Sequence, residues 1–238
     1  MVRWLRRNVD AVGTERTLAQ RGFTLIELMI VVSIIAIMAS MAVPNLLASG
    51  TVANEAATAA TMRTLATAQF RFRGMAFVDA NNNGVFEFGT LPELAGTAMV
   101  RGLTETVQPP LISSSMGHVD TNGIAARQGY FYRLFLPDAA GVGLPAVGGA
   151  LAGVDARSAE SSWALLAWPS SYGRTGRAAF FVNQQGEILK TVTARYSGHD
   201  SIPTPGAALT GVAPNQIVGG SLAAGVTGND GNLWLPLH

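Results

Sequence analysis

A single carboxylate, that of Glu27, lies inside a long apolar segment of this 238-residue chain. It is the only charged residue between Gly22 and Asn54. As a helix, the 21 residues from Phe23 to Val43 would reach roughly 31 Å, about the thickness of a bilayer core. An ionised carboxylate costs about 2.5–3.5 kcal/mol at the centre of such a helix, and less near its end. Glu27 therefore calls for a cationic partner, and its chemistry is ion pairing.

Cleavage of the chain between Gly22 and Phe23 would supply such a cation. The new α-amino group has an unperturbed pKa of about 7.7–8.0 and is largely positive at neutral pH. If that amine belongs to a neighbouring subunit, the two charges meet only when the helices stack with one axial offset. Glu27 is then predicted to set the register of an assembly.

A second group of oxygen ligands follows further along the chain. Asp79, Asn81 and Asn83 alternate before a glycine, and the Val85 carbonyl and Glu87 come next. Calcium takes six to eight oxygen ligands at about 2.3–2.6 Å, and these five residues could supply most of them. The spacing resembles the first half of a calcium-binding loop.

Two departures leave a plain turn open as the alternative. The twelfth position, where an EF-hand carries a bidentate glutamate, is Thr90, and Asn81 and Asn83 carry no charge. The dipeptide Asn83-Gly84 is a strong turn signal in its own right. The sequence favours the turn over the calcium site.

Catalytic patterns are missing from the sequence. His118, His199 and His238 are far apart, and neither a nucleophile elbow nor a phosphate-binding Gly-Lys loop occurs. The chain has no cysteine, which excludes disulfides, haem attachment and thiolate metal sites. We expect a protein that is not an enzyme and has no cofactor other than calcium at the Asp79–Glu87 loop.

Charge is concentrated before the apolar segment. Residues 1–22 contain five arginines and two acidic residues, which favours a cytoplasmic location for them. The rest of the chain has 11 basic and 13 acidic residues, without a basic run. Nucleic acid is therefore not an expected partner.

The residues from Arg21 to Glu27 resemble the class III signal of type IV pilins and of the pseudopilins of type II secretion. The resemblance implies that a prepilin peptidase cleaves after Gly22 and methylates the amine of Phe23, and that Glu27 docks subunits. It also matches Pro44, where such proteins often have a proline that kinks the helix. An ordinary membrane anchor or a secretory signal is the alternative, but a secretory signal has a shorter apolar region that precedes its cleavage site.

The pattern beyond Pro44 predicts that the helix continues to Gly74. Residues 45–73 are rich in Ala, Thr, Leu and Met, and a glycine follows them. A modestly amphipathic stripe is expected to pack on a sheet; it comprises Ala53, Ala57, Ala60, Leu65, Ala68 and Phe72. Pro44 predicts a bend.

Four apolar or β-branched segments predict strands, at residues 129–136, 163–168, 178–182 and 187–194. Residues 183–186 predict the turn of a hairpin between the last two. The fold class is therefore α+β, with a long N-terminal helix on an antiparallel sheet, which is also what the pilin resemblance implies. The predicted parts are a cleaved leader (1–22), a transmembrane and assembly helix (23–43), its amphipathic continuation (44–74) and a β-rich globular domain (75–238).

Three functions fit these observations. The first is a structural subunit of a type IV pilus-like filament, whose partners are other copies or other pilins, the prepilin peptidase, an inner-membrane assembly platform and the membrane itself. Such a subunit is a single-pass inner-membrane precursor before it enters a periplasmic or extracellular filament. The second is a pseudopilin of a type II secretion system. The third, from another class, is a monomeric membrane-tethered module that binds a ligand such as calcium.

Overall fold

The computed structural model describes residues 22–147 and 151–237. Residues 1–21 of the predicted leader and His238 lie outside the described residues. The chain divides after Pro44 into two compact units.

The longest element is helix α1, Leu25–Gly74, with 50 residues. It continues through Pro44 and ends at Gly74, which confirms the predicted long helix and its end. Beyond the last turn, the Met75 N–H donates to the Arg71 carbonyl at 2.9 Å, and Ala76 takes a positive φ of 59°. This is the left-handed conformation that commonly closes a helix. The bend at Pro44 stays a prediction.

After helix α1, the described residues of the second unit form ten strands and three short helical turns. The strands are β1 Ile124–Arg127, β2 Tyr130–Pro137, β3 Gly143–Pro145, β4 Ala164–Pro169, β5 Ala178–Asn183, β6 Leu189–Val192, β7 Leu209–Thr210, β8 Ser221–Leu222, β9 Val226–Thr227 and β10 Leu233–Pro236. The turns are α2 Leu91–Leu94, a 3-10 turn Ser114–Met116, and α3 Ala156–Ala159.

The main sheet is antiparallel, in the order β1-β2-β4-β5-β6-β10-β9, with β3 paired to β2. Strands β7 and β8 form a separate pair. The predicted β5–β6 hairpin is present: the Gly186 N–H donates to the Asn183 carbonyl at 2.9 Å, and Gly186 has a φ of 77°. The α+β prediction is confirmed, and β2, β4 and β5 match the predicted strands closely.

One face of the sheet packs against the second half of α1. The residues that strands β2, β4 and β5 turn toward this side alternate along each strand; they are Tyr130, Tyr132, Leu134, Leu136, Leu165, Ala167, Ala178, Phe180 and Val182. Met62, Leu65 and Phe72 of α1 belong to the same buried cluster. This core holds the helix on the sheet.

The buried face of α1 differs from the predicted stripe. Ala53 and Ala60 are exposed, whereas Leu65, Ala68 and Phe72 are buried. The face actually consists of Thr58, Ala59, Met62, Leu65, Ala66, Ala68, Gln69 and Phe72. The prediction was wrong for the first turns because a small alanine can lie on a buried or on an exposed face of a helix. The larger Met62 and the partners of Thr58 and Gln69 fix the rotation of the helix about its axis.

Those partners are specific polar contacts. Tyr132 donates its hydroxyl to Thr58 Oγ1 at 3.2 Å. Gln69 makes two hydrogen bonds with the backbone of Gly89, donating to the carbonyl at 2.8 Å and accepting from the N–H at 2.9 Å. Buried polar groups are retained when they are hydrogen-bonded in this way.

The opposite face of the sheet is covered by the last part of the chain. A second buried cluster joins strand residues such as Phe181 to residues from this last part of the chain, which include Tyr196, Leu209, Ile217 and Trp234. This part of the chain contributes four short strands and a third layer of the fold. Its apolar residues are buried because β4 and β5 present apolar side chains on both faces.

Candidate functional site: the start of helix α1 and the Asp79–Glu87 loop

Helix α1 begins with a capping box formed by Thr24 and Glu27. The Glu27 N–H donates to Thr24 Oγ1 at 3.1 Å, and the Thr24 N–H donates to Glu27 Oε2 at 3.2 Å. The Thr24 hydroxyl also contacts Glu27 Oε2 at 3.1 Å. Such a pair satisfies two of the N–H groups that a helix start leaves unbonded, and a carboxylate is favoured at the positive end of the helix dipole. Glu27 thus has a local role that the sequence analysis did not assign.

The surroundings of Glu27 are apolar and exposed. Every residue from Gly22 to Gly50 is exposed in the isolated chain, including large side chains such as Phe23, Ile30 and Met38. By length and composition the helix could cross a membrane. An apolar surface on all sides of a helix requires lipid or neighbouring helices as its environment. Among the described residues, Glu27 has no cationic partner within 4.0 Å.

Gly22 and Phe23 precede the helix, and both are exposed. A Cβ atom built on Gly22 would meet no atom of the described residues within 4 Å. Pro44 lies within α1, in its exposed half.

The Asp79–Glu87 loop is closed by hydrogen bonds to side chains. Asp79 accepts the Asn83 N–H at its Oδ1 and the Gly84 N–H at its Oδ2, both at 3.0 Å. Asn81 accepts from the Asn83 N–H at 3.1 Å, and Asn83 accepts from the Val85 N–H at 2.7 Å. Gly84 has a φ of 80°, a conformation that favours glycine. The predicted turn is therefore present, and the candidate ligands Asp79, Asn81 and Asn83 lie together around it.

Two further carboxylates lie beside this turn, one at the end of the loop and one from a distant part of the chain. Glu87 is buried, and its Oε1 accepts the Ala80 N–H at 2.9 Å. Glu160, which directly follows α3, accepts from Asn81 Nδ2 at 2.7 Å and from Asn83 Nδ2 at 2.8 Å. Within the described residues, no three His, Asp or Glu side chains converge closely enough to hold a metal by themselves. Any cation site here would have to include amide and backbone oxygens.

Comparison with protein families divides the chain into two parts. A profile described as the prokaryotic N-terminal methylation motif matches residues 18–43, the segment that contains Gly22, Phe23 and Glu27. The signal at the start of the chain is thus of the prepilin type, which confirms the resemblance. Together with the apolar helix, it marks a secreted subunit of the pilin or pseudopilin type, made as a membrane-anchored precursor.

A second profile, described as a protein of unknown function (DUF2950), matches residues 52–198, more than half of the chain. The chain belongs to the DUF2950 family. The matched region runs from the second half of α1 through β6, and it includes the Asp79–Glu87 loop and Glu160. No curated protein and no solved structure matches the chain.

Sequence reasoning missed two residues of these sites. Thr24 could have been found, because Thr-x-x-Glu ahead of an apolar run is the signature of a capping box. Glu160 could not, because it lies 79 residues from Asn81 and no local pattern connects them. The twelfth loop position, Thr90, is the N-cap of α2 and is bonded to Glu93, so it is not available as a ligand.

Proposed function

We propose that this protein is a structural subunit of a type IV pilus-like filament. In this proposal a prepilin peptidase cleaves after Gly22, the amine of Phe23 is methylated, and an inner-membrane platform extracts the subunit from the membrane. The apolar half of α1 then packs in the filament core. The β-rich unit lies outside the inner membrane and forms the filament surface.

The observation that carries the proposal is the position of Glu27. Its carboxylate is the only charge from Gly22 to Asn54, and all of its bonds within the described residues are to Thr24. One of its oxygens, Oε1, takes no part in those bonds. It is placed to accept a bond from a neighbour's amine while the capping box stays intact. An ion pair in an apolar helix bundle would fix the axial offset of adjacent subunits.

Two substitutions separate the charge of Glu27 from its capping role. Glu27→Gln removes the charge, but an amide oxygen can still accept the Thr24 N–H bond. Thr24→Ala removes the hydroxyl of the cap and keeps the charge. We expect Glu27→Gln to be processed normally and to yield no sheared surface filaments, whereas Thr24→Ala yields filaments at near-native levels.

The measurement is intact-mass and N-terminal analysis of membrane and sheared-surface fractions from the native host. A methylated Phe23 as the first residue in the sheared fraction of the native protein would support the proposal. Abundant filaments from Glu27→Gln would overturn the ion-pair role. A secretion defect without surface filaments would instead indicate a pseudopilin, and a chain that keeps its leader and stays in membranes would indicate a tethered module.

A further inference from the structure

The Glu87 carboxylate is buried, and only one of its two oxygens is hydrogen-bonded. Glu87 is 1% exposed, and its Oε2 atom has no hydrogen-bond partner in the part of the chain that the structure describes. Its other oxygen holds the Ala80 N–H, which places the carboxylate against the inner side of the Asp79–Glu87 loop. A buried carboxylate oxygen without a partner is costly. Its position therefore indicates a ligand that carries positive charge.

A second carboxylate faces the same loop from a distant part of the chain. Glu160 is 8% exposed, and a single oxygen, Oε1, receives the amide groups of both Asn81 and Asn83. The two amide NH₂ groups place partial positive charge beside this carboxylate oxygen. A bound cation would place a full positive charge there. Each amide also carries an oxygen, which accepts a backbone N–H within the loop and keeps a second lone pair for a cation.

We propose that the Asp79–Glu87 loop and Glu160 together bind a calcium ion. The ligands are side-chain oxygens of the residues named above and one backbone carbonyl: Asp79, Asn81, Asn83, Glu87, Glu160 and the Val85 carbonyl. These six groups reach the lower limit of calcium coordination, and the carboxylates can each bind through one oxygen or two. Because the three carboxylates do not converge without the ion, binding includes a shift of the loop relative to Glu160.

The ligand chemistry favours calcium over other metals. All six groups are oxygens, which excludes a preference for zinc or copper. Magnesium demands a near-ideal octahedron at shorter distances, whereas a loop with two neutral amides and flexible carboxylates suits the larger ion. The sequence prediction named five of these residues; Glu160 supplies the negative charge that the two asparagines lack.

Two arginines lie near the site. Arg73 donates from Nε to the carbonyl of Phe86, the residue before Glu87, at 3.2 Å. Arg101 lines the same surface cavity as Glu87. Its guanidinium is bonded to Glu93 Oε1 at 3.0 Å and to the Phe88 carbonyl. The carboxylate of Glu93, which is fully buried, compensates the charge of Arg101.

Calcium-dependent stability of the full-length mature protein in detergent tests the proposal. Thermal unfolding is followed by tryptophan fluorescence in chelator, in excess calcium and in excess magnesium. A ligand at a hundredfold its dissociation constant should raise the Tm of a domain of this size by about 5–10 °C. We expect that rise with calcium and a much smaller one with magnesium.

Variants assign the ligands. Asp79→Asn and Glu160→Gln keep hydrogen-bonding groups of the same shape, and we expect each to abolish most of the calcium-induced rise in Tm. Glu105→Gln is the matched control, because Glu105 is exposed and outside the loop, and it should respond as the native protein does. Calorimetric titration of the native protein with calcium gives an independent measure of binding.

Equal Tm values with calcium and chelator, together with no calorimetric signal, would overturn the proposal. A native-like response of Glu160→Gln would remove Glu160 from the site, and an equal response to magnesium would overturn the choice of ion. None of these outcomes bears on the filament proposal, because the start of α1 takes no part in this site.

Discussion

The two halves of helix α1 differ in what surrounds them, and their two glutamates show the difference. Glu27, in the first half, bonds only to Thr24 within the described residues. Glu55, in the second half, pairs with Lys190 on β6 at 3.0 Å and accepts the N–H groups of Arg177 and Ala178 at 2.9 and 3.2 Å. The first half leaves its charge available to another molecule, whereas the second uses its charge within its own fold.

The apolar residues follow the same division. Met38 is 66% exposed, whereas Met62 is fully buried between the helix and the sheet. The family matches change along the same helix, from the methylation motif at residues 18–43 to DUF2950 from residue 52. A single helix therefore combines an exposed apolar surface with a surface that is buried in the domain core. The same residue type, methionine, tests each half.

The largest expected effect comes from truncating the buried methionine. Met62→Ala should lower the free energy of unfolding by about 2–5 kcal/mol, because it removes buried apolar contacts and leaves a cavity. Met38→Ala, the matched control, should change it by less than about 0.5 kcal/mol. Urea unfolding followed by tryptophan fluorescence measures both, since Trp163, Trp168 and Trp234 are buried in the second unit. Equal losses from the two substitutions would contradict the division of the helix.

An intermediate effect is expected at alkaline pH, through tyrosines that contact the second half of α1. Burial, and next the charge of Glu55, raise the pKa of Tyr130 well above its ordinary value near 10; burial raises that of Tyr132. Both stay protonated when folded and lose protons when unfolded. Their contribution to stability is thus complete below about pH 10 and is lost above it, by up to about 1.4 kcal/mol per pH unit for each tyrosine.

Urea unfolding between pH 9 and pH 11 measures this loss. We expect a fall in the free energy of unfolding with rising pH, and a smaller slope in Tyr130→Phe, which cannot ionise. The substitution also removes the bond from the Tyr130 hydroxyl to the Ala178 carbonyl, so its stability at pH 7 serves as the reference. The same slope in both proteins would show that Tyr130 is not held neutral by its packing against the helix.

Local patterns were sufficient to predict helix α1 and the central strands of the main sheet. The unbroken apolar run and the glycine after Arg73 marked the helix, and compact apolar segments between turn residues marked β2, β4 and β5. These signals lie within one segment each. The prepilin-type signal was recognisable for the same reason, since its residues are contiguous.

Contacts between distant segments could not be predicted. The rotation of α1 depends on Tyr132, which bonds Thr58, and on Gly89, which bonds Gln69; the sequence marks neither pair. Glu160 joins the Asp79–Glu87 loop only because α3 is folded beside it. The residues after Tyr196 cover the second face of the sheet because β4 and β5 are apolar on both faces, and no local pattern in those residues indicates that contact.

The smallest expected effect concerns the pair formed by Glu55 and Lys190. Their side chains are 18% and 33% exposed, so solvent screens the interaction and its free energy should be about 0.5–1 kcal/mol. A double-mutant cycle with Glu55→Gln and Lys190→Met, in urea unfolding at neutral pH, isolates this coupling from the bonds that Glu55 makes to the backbone.

Glu27→Gln completes that comparison as the control on the same helix. It should leave the free energy of unfolding of the second unit unchanged, because the side-chain hydrogen bonds of Glu27 within the described residues are all to Thr24. Zero coupling between Glu55 and Lys190 would show that backbone bonds alone anchor Glu55. A loss of stability from Glu27→Gln would show that the first half of α1 also supports the domain. Either result would contradict the contrast between the two glutamates, in which the charge of Glu55 stabilises the domain and the charge of Glu27 does not.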